Sequence, residues 1–362
     1  LYSISSMVQQ FSIQGFRNIS SVSLNIEQPL TIFYGQNGQG KTNLLEAIAI
    51  AACGSSFRDQ KKHLWLPFDA NSNQFAALSL QTTDSLAHKV VIATPAQQAI
   101  PQIKFWRNDV PVPMADFIGE IPVVVFRPED MNLFLFDPSL RRAFLDSVLF
   151  QVFPLYRQAF SQAKKTLTNR NALLKAVQRA EANVSELDFW DKQYSQDSDV
   201  LQQYRSLLLA YIDREISSVY QQFSHHALAF KVQYEKSLFS PDQNQFLERA
   251  RGFTLSGAHR DDFSVFVDDQ KTAWTTTASR GEMRTLVLAL KSIIVRFLAE
   301  KLEHKPLLLL DDILSEFDDE RQALVLSWTA NYQLFLTVAG NIAEIGSAQK
   351  FRVERGSIVD MS

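Results

Sequence analysis

One stretch constrains the fold of this chain more than any other. Gly35-Gln-Asn-Gly-Gln-Gly-Lys41-Thr42 satisfies the pattern G-x-x-x-x-G-K-[ST] in full. Its flanks fit as well. Leu30–Tyr34 is a short apolar run that reads as a buried strand, and Asn43–Ala52, rich in Leu, Ala and Ile, reads as a helix. A strand, a glycine-rich loop and a helix in that order let backbone N–H groups converge on phosphate oxygens, and the helix adds its dipole. Lys41 then supplies a charge to the β- and γ-phosphates, and the Thr42 hydroxyl is a ligand for Mg2+. The candidate ATP-binding residues are Gly35, Gln36, Asn37, Gly38, Gln39, Gly40, Lys41, Thr42 and Asn43. A chance glycine-rich turn would match the loop without the strand, the helix and the carboxylates further on.

Those carboxylates follow Leu307–Leu310, a fully apolar run that Pro306 introduces and Asp311 and Asp312 end. A buried parallel strand that ejects a carboxylate at its C-terminal end places it beside the phosphate loop. Asp311 is expected to hold Mg2+ through a water, and Asp312 to polarise the attacking water. Taken alone, two aspartates could equally cap a strand at the surface. A third candidate is Ser279-Arg280-Gly281-Glu282 at an expected helix N-terminus, where a hydroxyl, a glycine and free N–H groups form an anion site. The phosphate loop already has its own helix N-terminus, so this second one suits the γ-phosphate of another ATP molecule. Ser279 with Glu282 three residues later is also an ordinary capping box, and sequence leaves the two readings open. Lys41, Asp312 and Ser279 are the catalytic candidates; Thr42 and Asp311 are the metal candidates.

The rest of the chain sets these motifs in an α/β frame. Phe11, Ile13 and Phe16, then Val22, Leu24 and Ile26, recur at strand spacing. Phe75–Leu80, Lys89–Ala93, Ile103–Trp106 and Pro122–Phe126 suggest a mostly β lobe over residues 57–126. From Leu140 to about Phe230 there is one proline, Pro154, and no glycine, which is helical composition. Apolar faces on Phe160–Val177 and Leu187–Tyr211, with a turn at Glu181–Glu186, predict two antiparallel helices forming a short arm. Phe263–Val267 and Tyr332–Ala339 read as strands, and Gly281–Glu300 as a helix. The expected division is 7–130 for the N-terminal part of a head, 131–250 for the arm and 251–362 for the C-terminal part of the head.

Composition narrows the function classes. No run approaches the roughly 18 apolar residues of a membrane helix, and Leu1–Phe16 is too polar for a signal peptide, with Met7 the more natural beginning. The single cysteine, Cys53, excludes an intrachain disulfide and a Cys-rich zinc site, as suits a reducing cytoplasm. It reads as a small buried side chain, and His225-His226 as a helix end rather than a metal site. The net charge of −3 argues weakly against nucleic acid. Locally, however, Ser147–Ala180 holds six basic residues and no acidic one: Arg157, Lys164, Lys165, Arg170, Lys175 and Arg179. Arg157, Lys164, Lys175 and Arg179 fall near one helix face, a footprint for phosphates, with Arg141 and Arg142 as further DNA-binding candidates. The competing reading is a solvated face paired with Asp188, Asp191, Asp197 and Asp199 of the partner helix. Any binding would be salt-dependent and not sequence-specific.

The three nucleotide motifs, in this order, resemble the ATP-binding cassette (ABC) superfamily. About 240 residues separate the phosphate loop from Ser279 and enclose a helical hairpin, which is similar to the branch holding the SMC proteins, the Cys-x-x-Cys-hooked repair ATPases and the RecF family. The chain lacks the hook and has too short an arm for SMC, and it resembles the RecF family over nearly its whole length from Val8. The resemblance is carried by Gly15-Phe-Arg-Asn-Ile19, Asn37–Ile48, Ser56-Phe-Arg58, Pro128-Glu129, Arg141–Asp146, Asn169–Leu174, Gly257–Asp262, Ser279-Arg-Gly281, Leu310-Asp-Asp312 and Ser315-Glu-Phe-Asp318.

The resemblance implies a P-loop ABC-type ATPase head with a β-rich lobe and an inserted antiparallel helical-hairpin arm. It implies ATP and Mg2+ as cofactors, slow hydrolysis, an ATP-dependent homodimer on DNA, and Ser279, Arg280 and Gly281 acting in trans, with Ser315–Asp318 crossing the dimer interface. It also implies recombinational repair in the cytoplasm at the nucleoid, with RecR and RecO as partners in loading RecA at gaps. Several residues depart from the family pattern: Ala258 stands for proline, Phe136-Asp137 for Gly-Gly, and Glu282 for the glutamine of the signature. No histidine follows Leu334–Val338. Glu129 is the candidate for the glutamine-loop position, His259 for a place near the ATP interface, and Arg58 for a lid or an ordinary surface residue. A transporter ATPase subunit and a non-hydrolysing, nucleotide-locked scaffold are the rival readings.

Overall fold

The computed structural model describes residues 7–58, 61–68, 75–95, 100–224, 227–267, 272–340 and 347–361; Leu1–Ser6 and His225-His226 lie outside them. In chain order the regular elements are β1 (Val8–Phe16), β2 (Ile19–Asn25), β3 (Leu30–Gly35), α1 (Lys41–Cys53), β4 (Phe75–Thr82), β5 (Ala87–Ala93), β6 (Gln102–Arg107), β7 (Val110–Val112), α2 (Met114–Phe117) and β8 (Val123–Phe126). Then come α3 (Pro138–Val152), α4 (Pro154–Gln178), α5 (Leu187–Ser224), β9 (Phe230–Glu235), α6 (Pro241–Arg251), β10 (Asp262–Val267), α7 (Arg280–Leu302), β11 (Leu307–Asp311), α8 (Asp319–Thr329), β12 (Leu334–Ala339), β13 (Gln349–Glu354) and β14 (Ser357–Met361). Two compact units result, residues 1–130 with 295–362, and residues 131–294.

The first unit holds two six-stranded sheets. One is antiparallel, in the order β2-β1-β4-β5-β6-β7. The other runs β14-β13-β3-β12-β11-β8, with every pairing parallel except β13 with β14. Leu308, Leu309 and Leu310 of β11 have no exposed surface, as expected of a parallel strand covered on both faces. Helix α1 packs against strands of both sheets. That explains its composition: Leu44–Ala52 are buried all round, and Ala47, Ala49, Ala51 and Ala52 let two sheets approach one helix. The β lobe is smaller than the sequence suggested. Pro122–Phe126 does not join it; β8 pairs with β11 at the edge of the parallel sheet.

The second unit is built on a helical hairpin. Antiparallel packing of α4 on α5 follows from its pairs: Arg170 meets Asp191, while Tyr156 meets Tyr204 and Arg205. The turn between them is closed by a capping box, in which Asn183 N–H donates to Glu186 Oε1 at 2.8 Å. The arm differs from expectation in two ways. Pro154, which has no N–H, breaks the helical run at Phe153 and leaves α3 as a separate helix. The unit also continues past residue 250 to Ile294, because the β9–β10 hairpin packs on α5 and α3, and α6 packs on α4. Among the described residues no helix is long and apolar enough to cross a membrane.

Candidate functional site

The sheet order places the phosphate loop, after β3, one strand away from the aspartates that end β11, with β12 between them. All three strand ends converge on one cluster. Thr42 Oγ1 donates to Asp311 Oδ1 at 2.8 Å, and Thr337 Oγ1, from β12, donates to the same oxygen at 2.8 Å. Asp312 N–H donates to Thr337 Oγ1 at 2.9 Å. Asp312 lies in the left-handed region, with φ 51°, a conformation few residues other than glycine adopt. The Thr337 hydroxyl therefore ties the side chain of one aspartate to the backbone of the next. Burial pushes the Asp311 carboxyl up, the two hydroxyls pull it down, and Glu129 raises it again. Glu129 thus stands within electrostatic reach of Asp311, and so does Arg58, which acts in the opposite sense.

Lys41 turns back onto its own loop. Its Nζ donates to Gly35 O at 2.8 Å and Gln36 O at 2.9 Å. Burial lowers its pKa, against the opposing pull of Asp312 and Asp311. The loop is held from behind by two hairpin turns. Asn43 Nδ2 donates to Asn18 Oδ1 at 2.7 Å, and Asn18 Nδ2 reaches Gln39 O at 3.4 Å. From the β13–β14 turn, Gly356 N–H donates to Gln39 O and Arg355 N–H to Gln39 Oε1, both at 2.8 Å. Gly40 has φ 107°, and a Cβ there would stand 2.8 Å from Asn18 Nδ2, so only glycine fits. Arg58 anchors on α1, donating to Asn43 Oδ1 at 2.8 Å, beside the buried Glu46 that Arg17 and Ser56 also bond. It is fixed next to Thr42-Asn43 and is 41% exposed.

Ser279, Arg280 and Gly281 belong to the second unit. Ser279 N–H donates to Glu282 Oε2 at 2.8 Å and Glu282 N–H to Ser279 Oγ at 3.3 Å, so the capping box is formed at the start of α7. Ser315 Oγ donates to Asp312 O at 2.7 Å, and Asp318 caps α8.

The basic candidates of the second unit divide sharply. Arg170 is buried against Asp191, at 2.5 Å, and Glu248, at 2.8 Å. Arg141 grips both oxygens of Asp262, at 2.6 and 2.9 Å. Arg142 donates to Asp261 O at 2.7 Å, and Arg157 to Phe150 O. These guanidiniums are engaged inside the unit: Arg141 is neutralised by a carboxylate, whereas Arg142 and Arg157 are half-buried and each bonds a main-chain carbonyl. Lys164, Lys165, Lys175 and Arg179 are exposed. Of the aspartates weighed as their partners, Asp191 instead pairs with Arg170.

His259 also turns inward. Its Nδ1 lies 2.6 Å from the Tyr194 hydroxyl and its Nε2 lies 3.2 Å from Thr254 O. A carbonyl only accepts, so Nε2 carries the proton and Nδ1 accepts from Tyr194. Burial brings the pKa down to about 4, so the ring is neutral at pH 7. Beside it, Arg205 bonds Asp146 and Asp261, both at 2.9 Å, and Tyr234 donates to Asp261 Oδ2 at 2.6 Å. The Gly257–Asp262 motif thus feeds a buried network.

Sequence reasoning missed Thr337, the bracing of the loop by Asn18, and the Arg355-Gly356 turn. A threonine near the end of an apolar core strand was the one available signal; Asn18 contributes through its carboxamide and the turn through backbone N–H groups.

A family model described as an AAA domain matches residues 10–222. The chain is 30% identical over 338 residues to the DNA replication and repair protein RecF of Bacillus thuringiensis (strain Al Hakam), covering 88% of each. It is 29% identical over 344 residues to that of Streptococcus thermophilus (strain ATCC BAA-491 / LMD-9), covering 91% of each. A solved structure of the recombination mediator protein RecF with ATP, of the RecFOR pathway, superposes with a TM-score of 0.89 at 24% identity over 99% of this chain and 98% of that one. The SMC head domain of Pyrococcus furiosus gives 0.54 at 14% identity over 98% of this chain and 95% of that one.

Proposed function

Because the chain belongs to the RecF family of DNA replication and repair proteins, we propose that it is an ATP-dependent DNA-binding protein of recombinational repair. On this reading, ATP closes two copies on DNA, slow hydrolysis reopens them, and the closed form acts with RecR and RecO to promote RecA loading at gaps. The observation that carries the ATPase reading is the cluster in which Thr42 and Thr337 both donate to Asp311, each at 2.8 Å.

The residues fit a hard divalent cation. The Thr42 proton is directed at Asp311, which leaves the hydroxyl lone pairs for a metal, and the neighbouring carboxylate supplies the oxygen chemistry that Mg2+ selects. Thr42 would hold the ion directly and Asp311 through a water; bound there, it would neutralise charge developing on the transferred phosphoryl group. Lys41 exchanges its two loop carbonyls for the β- and γ-phosphate oxygens. Asp312 orients the attacking water and takes its proton. Ser279, with the Arg280 and Gly281 N–H groups, meets the γ-phosphate of the partner copy; in the capping box its hydroxyl only accepts, so the O–H is left to donate. The negative charge of Glu282, held against Ser279 N–H, accounts for a slow step. The same box lends support to the second reading, a nucleotide-locked scaffold that does not turn over.

Steady-state ATP hydrolysis with and without duplex DNA, at two salt concentrations, tests the proposal. Stimulation by DNA that fades with salt supports a DNA-coupled ATPase; nucleotide binding without turnover selects the scaffold. Asp312→Asn should trap an ATP-bound dimer in sedimentation, and a monomeric variant in saturating ATP would remove the trans site.

A further inference from the structure

The arm carries a second cationic element that the α4 stripe does not include. Helix α6 ends against the end of α4: Gln178 Nε2 donates to Ala250 O at 2.7 Å, and a Cβ on Gly252 would stand 3.1 Å from Lys175 Cγ. This brings the end of α6 that carries the half-buried Arg249 and the exposed Arg251 against the end of α4 that carries Lys175 and Arg179. From the loop that follows, the Arg260 guanidinium lies 5.9 Å from the centre of the Phe253 ring, which is 37% exposed. Lys175, Arg251 and Arg260 are exposed, and none of them has a carboxylate partner among the described residues. The acids of the region do not cancel them. Glu248 on α6 is buried in its pair with Arg170, and Glu181 stands 3.9 Å from Arg179 at the surface, where such a pair is weak.

A protein of net charge −3 therefore gathers five cations and the accessible Phe253 ring where two helix ends meet. Duplex DNA needs only the cations, because its bases are stacked on one another. An unpaired strand offers phosphates and free base faces together, and such strands are held by cationic tracks interleaved with aromatic rings.

We infer that the junction of α4 and α6 binds the single-stranded side of a gapped DNA. Phosphates lie on Lys175, Arg179, Arg249, Arg251 and Arg260, and an unpaired base stacks on Phe253. The inference rests on the reading that this chain binds DNA. Because the platform is a ring face with no base-reading donor or acceptor on it, the strand is bound without regard to sequence.

The test is fluorescence anisotropy of the full chain with ATP, using a labelled gapped duplex and a blunt duplex of the same length. Phe253→Ala should weaken binding to the gapped probe by about 5- to 150-fold, the range for losing one base stack, and leave the blunt duplex unchanged; Phe253→Trp should retain wild-type affinity. Arg251→Ala with Arg260→Ala alters only exposed positions and should lower the slope of log affinity against log salt by about 1.4 on the gapped probe, at roughly 0.7 per single-strand phosphate contact. Equal losses on both probes, or no loss with either variant, would overturn the inference. If wild type binds neither probe, the DNA reading itself fails, a different outcome from normal duplex binding with an indifferent Phe253.

Discussion

Replacing Thr337 by valine tests whether β12 sets the catalytic geometry. The two side chains have nearly the same shape, and position 337 is 1% exposed, so packing is conserved and only the hydroxyl is lost. Two hydrogen bonds go with it, the 2.8 Å donation to Asp311 and the 2.9 Å acceptance from Asp312 N–H. Asp311 keeps the Thr42 donor. The Asp312 backbone loses the contact that holds it in the left-handed region. A hydrogen bond to a charged group contributes about 1.5–3 kcal/mol. If that stabilisation orients the carboxylates for the transition state, kcat falls by about 10- to 150-fold. Nucleotide affinity should change by less than about threefold, under 0.7 kcal/mol, because neither Lys41 nor the loop N–H groups act through Thr337. The assay is single-turnover hydrolysis beside equilibrium binding of a labelled nucleotide. Thr337→Ser restores the hydroxyl and should recover most of the rate. Equal losses in rate and affinity, or a serine variant as slow as valine, would refute the positioning role and leave Thr337 a stabilising residue only.

Lys41→Ala should abolish ATP binding by calorimetry, since Lys41 is the loop's own cation and its carbonyl partners cannot replace it; ATP-dependent dimers that survive the change would refute the phosphate-loop assignment. His259, at about 4 when folded against about 6.5 unfolded, is neutral in both states above pH 6.5. As pH falls from there toward 4 only the unfolded chain takes the proton, so stability should drop by up to about 3 kcal/mol. His259→Gln keeps a donor for Thr254 and an acceptor for Tyr194 and should flatten that slope in denaturant melts, whereas parallel curves for the two proteins would sink the assignment.

What the sequence reveals of this molecule follows from how local each determinant is. The strand, loop and helix around Gly35–Thr42 are contiguous, and their residue types are dictated by phosphate chemistry, so they are legible directly. So is β11, an unbroken apolar run ending in two aspartates. Pro122–Phe126 was harder, because four apolar residues look alike in either sheet. Its partner, β11, lies almost two hundred residues away, and strand pairing over that distance leaves no local trace. Asn18 and the Arg355-Gly356 turn shape the phosphate loop through a carboxamide and backbone N–H groups, contacts that many sequences could make. Thr337 is a polar residue on a core strand, and its meaning depends on which strand lies next to it.

Charge is the property for which the gap matters most. Counting residues shows six cations and no acid on Ser147–Ala180, but cannot show where the acids of other segments go. Asp146, Asp191, Glu248, Asp261 and Asp262 come from α3, α5, α6 and the end of the motif loop, and each bonds an arginine: Arg205, Arg170 or Arg141. Burying an arginine is tolerable only when carboxylates neutralise it, so the arm's core consumes acids together with Arg141, Arg170 and Arg205. The lysines, whose compact ammonium is costlier to desolvate, are left outside with Arg179 and Arg251. Protein interiors take up bidentate arginine–carboxylate pairs and leave lysine at the surface. For that reason a chain of net charge −3 can present a cationic face, and net charge is a poor guide to whether its arm holds a polyanion.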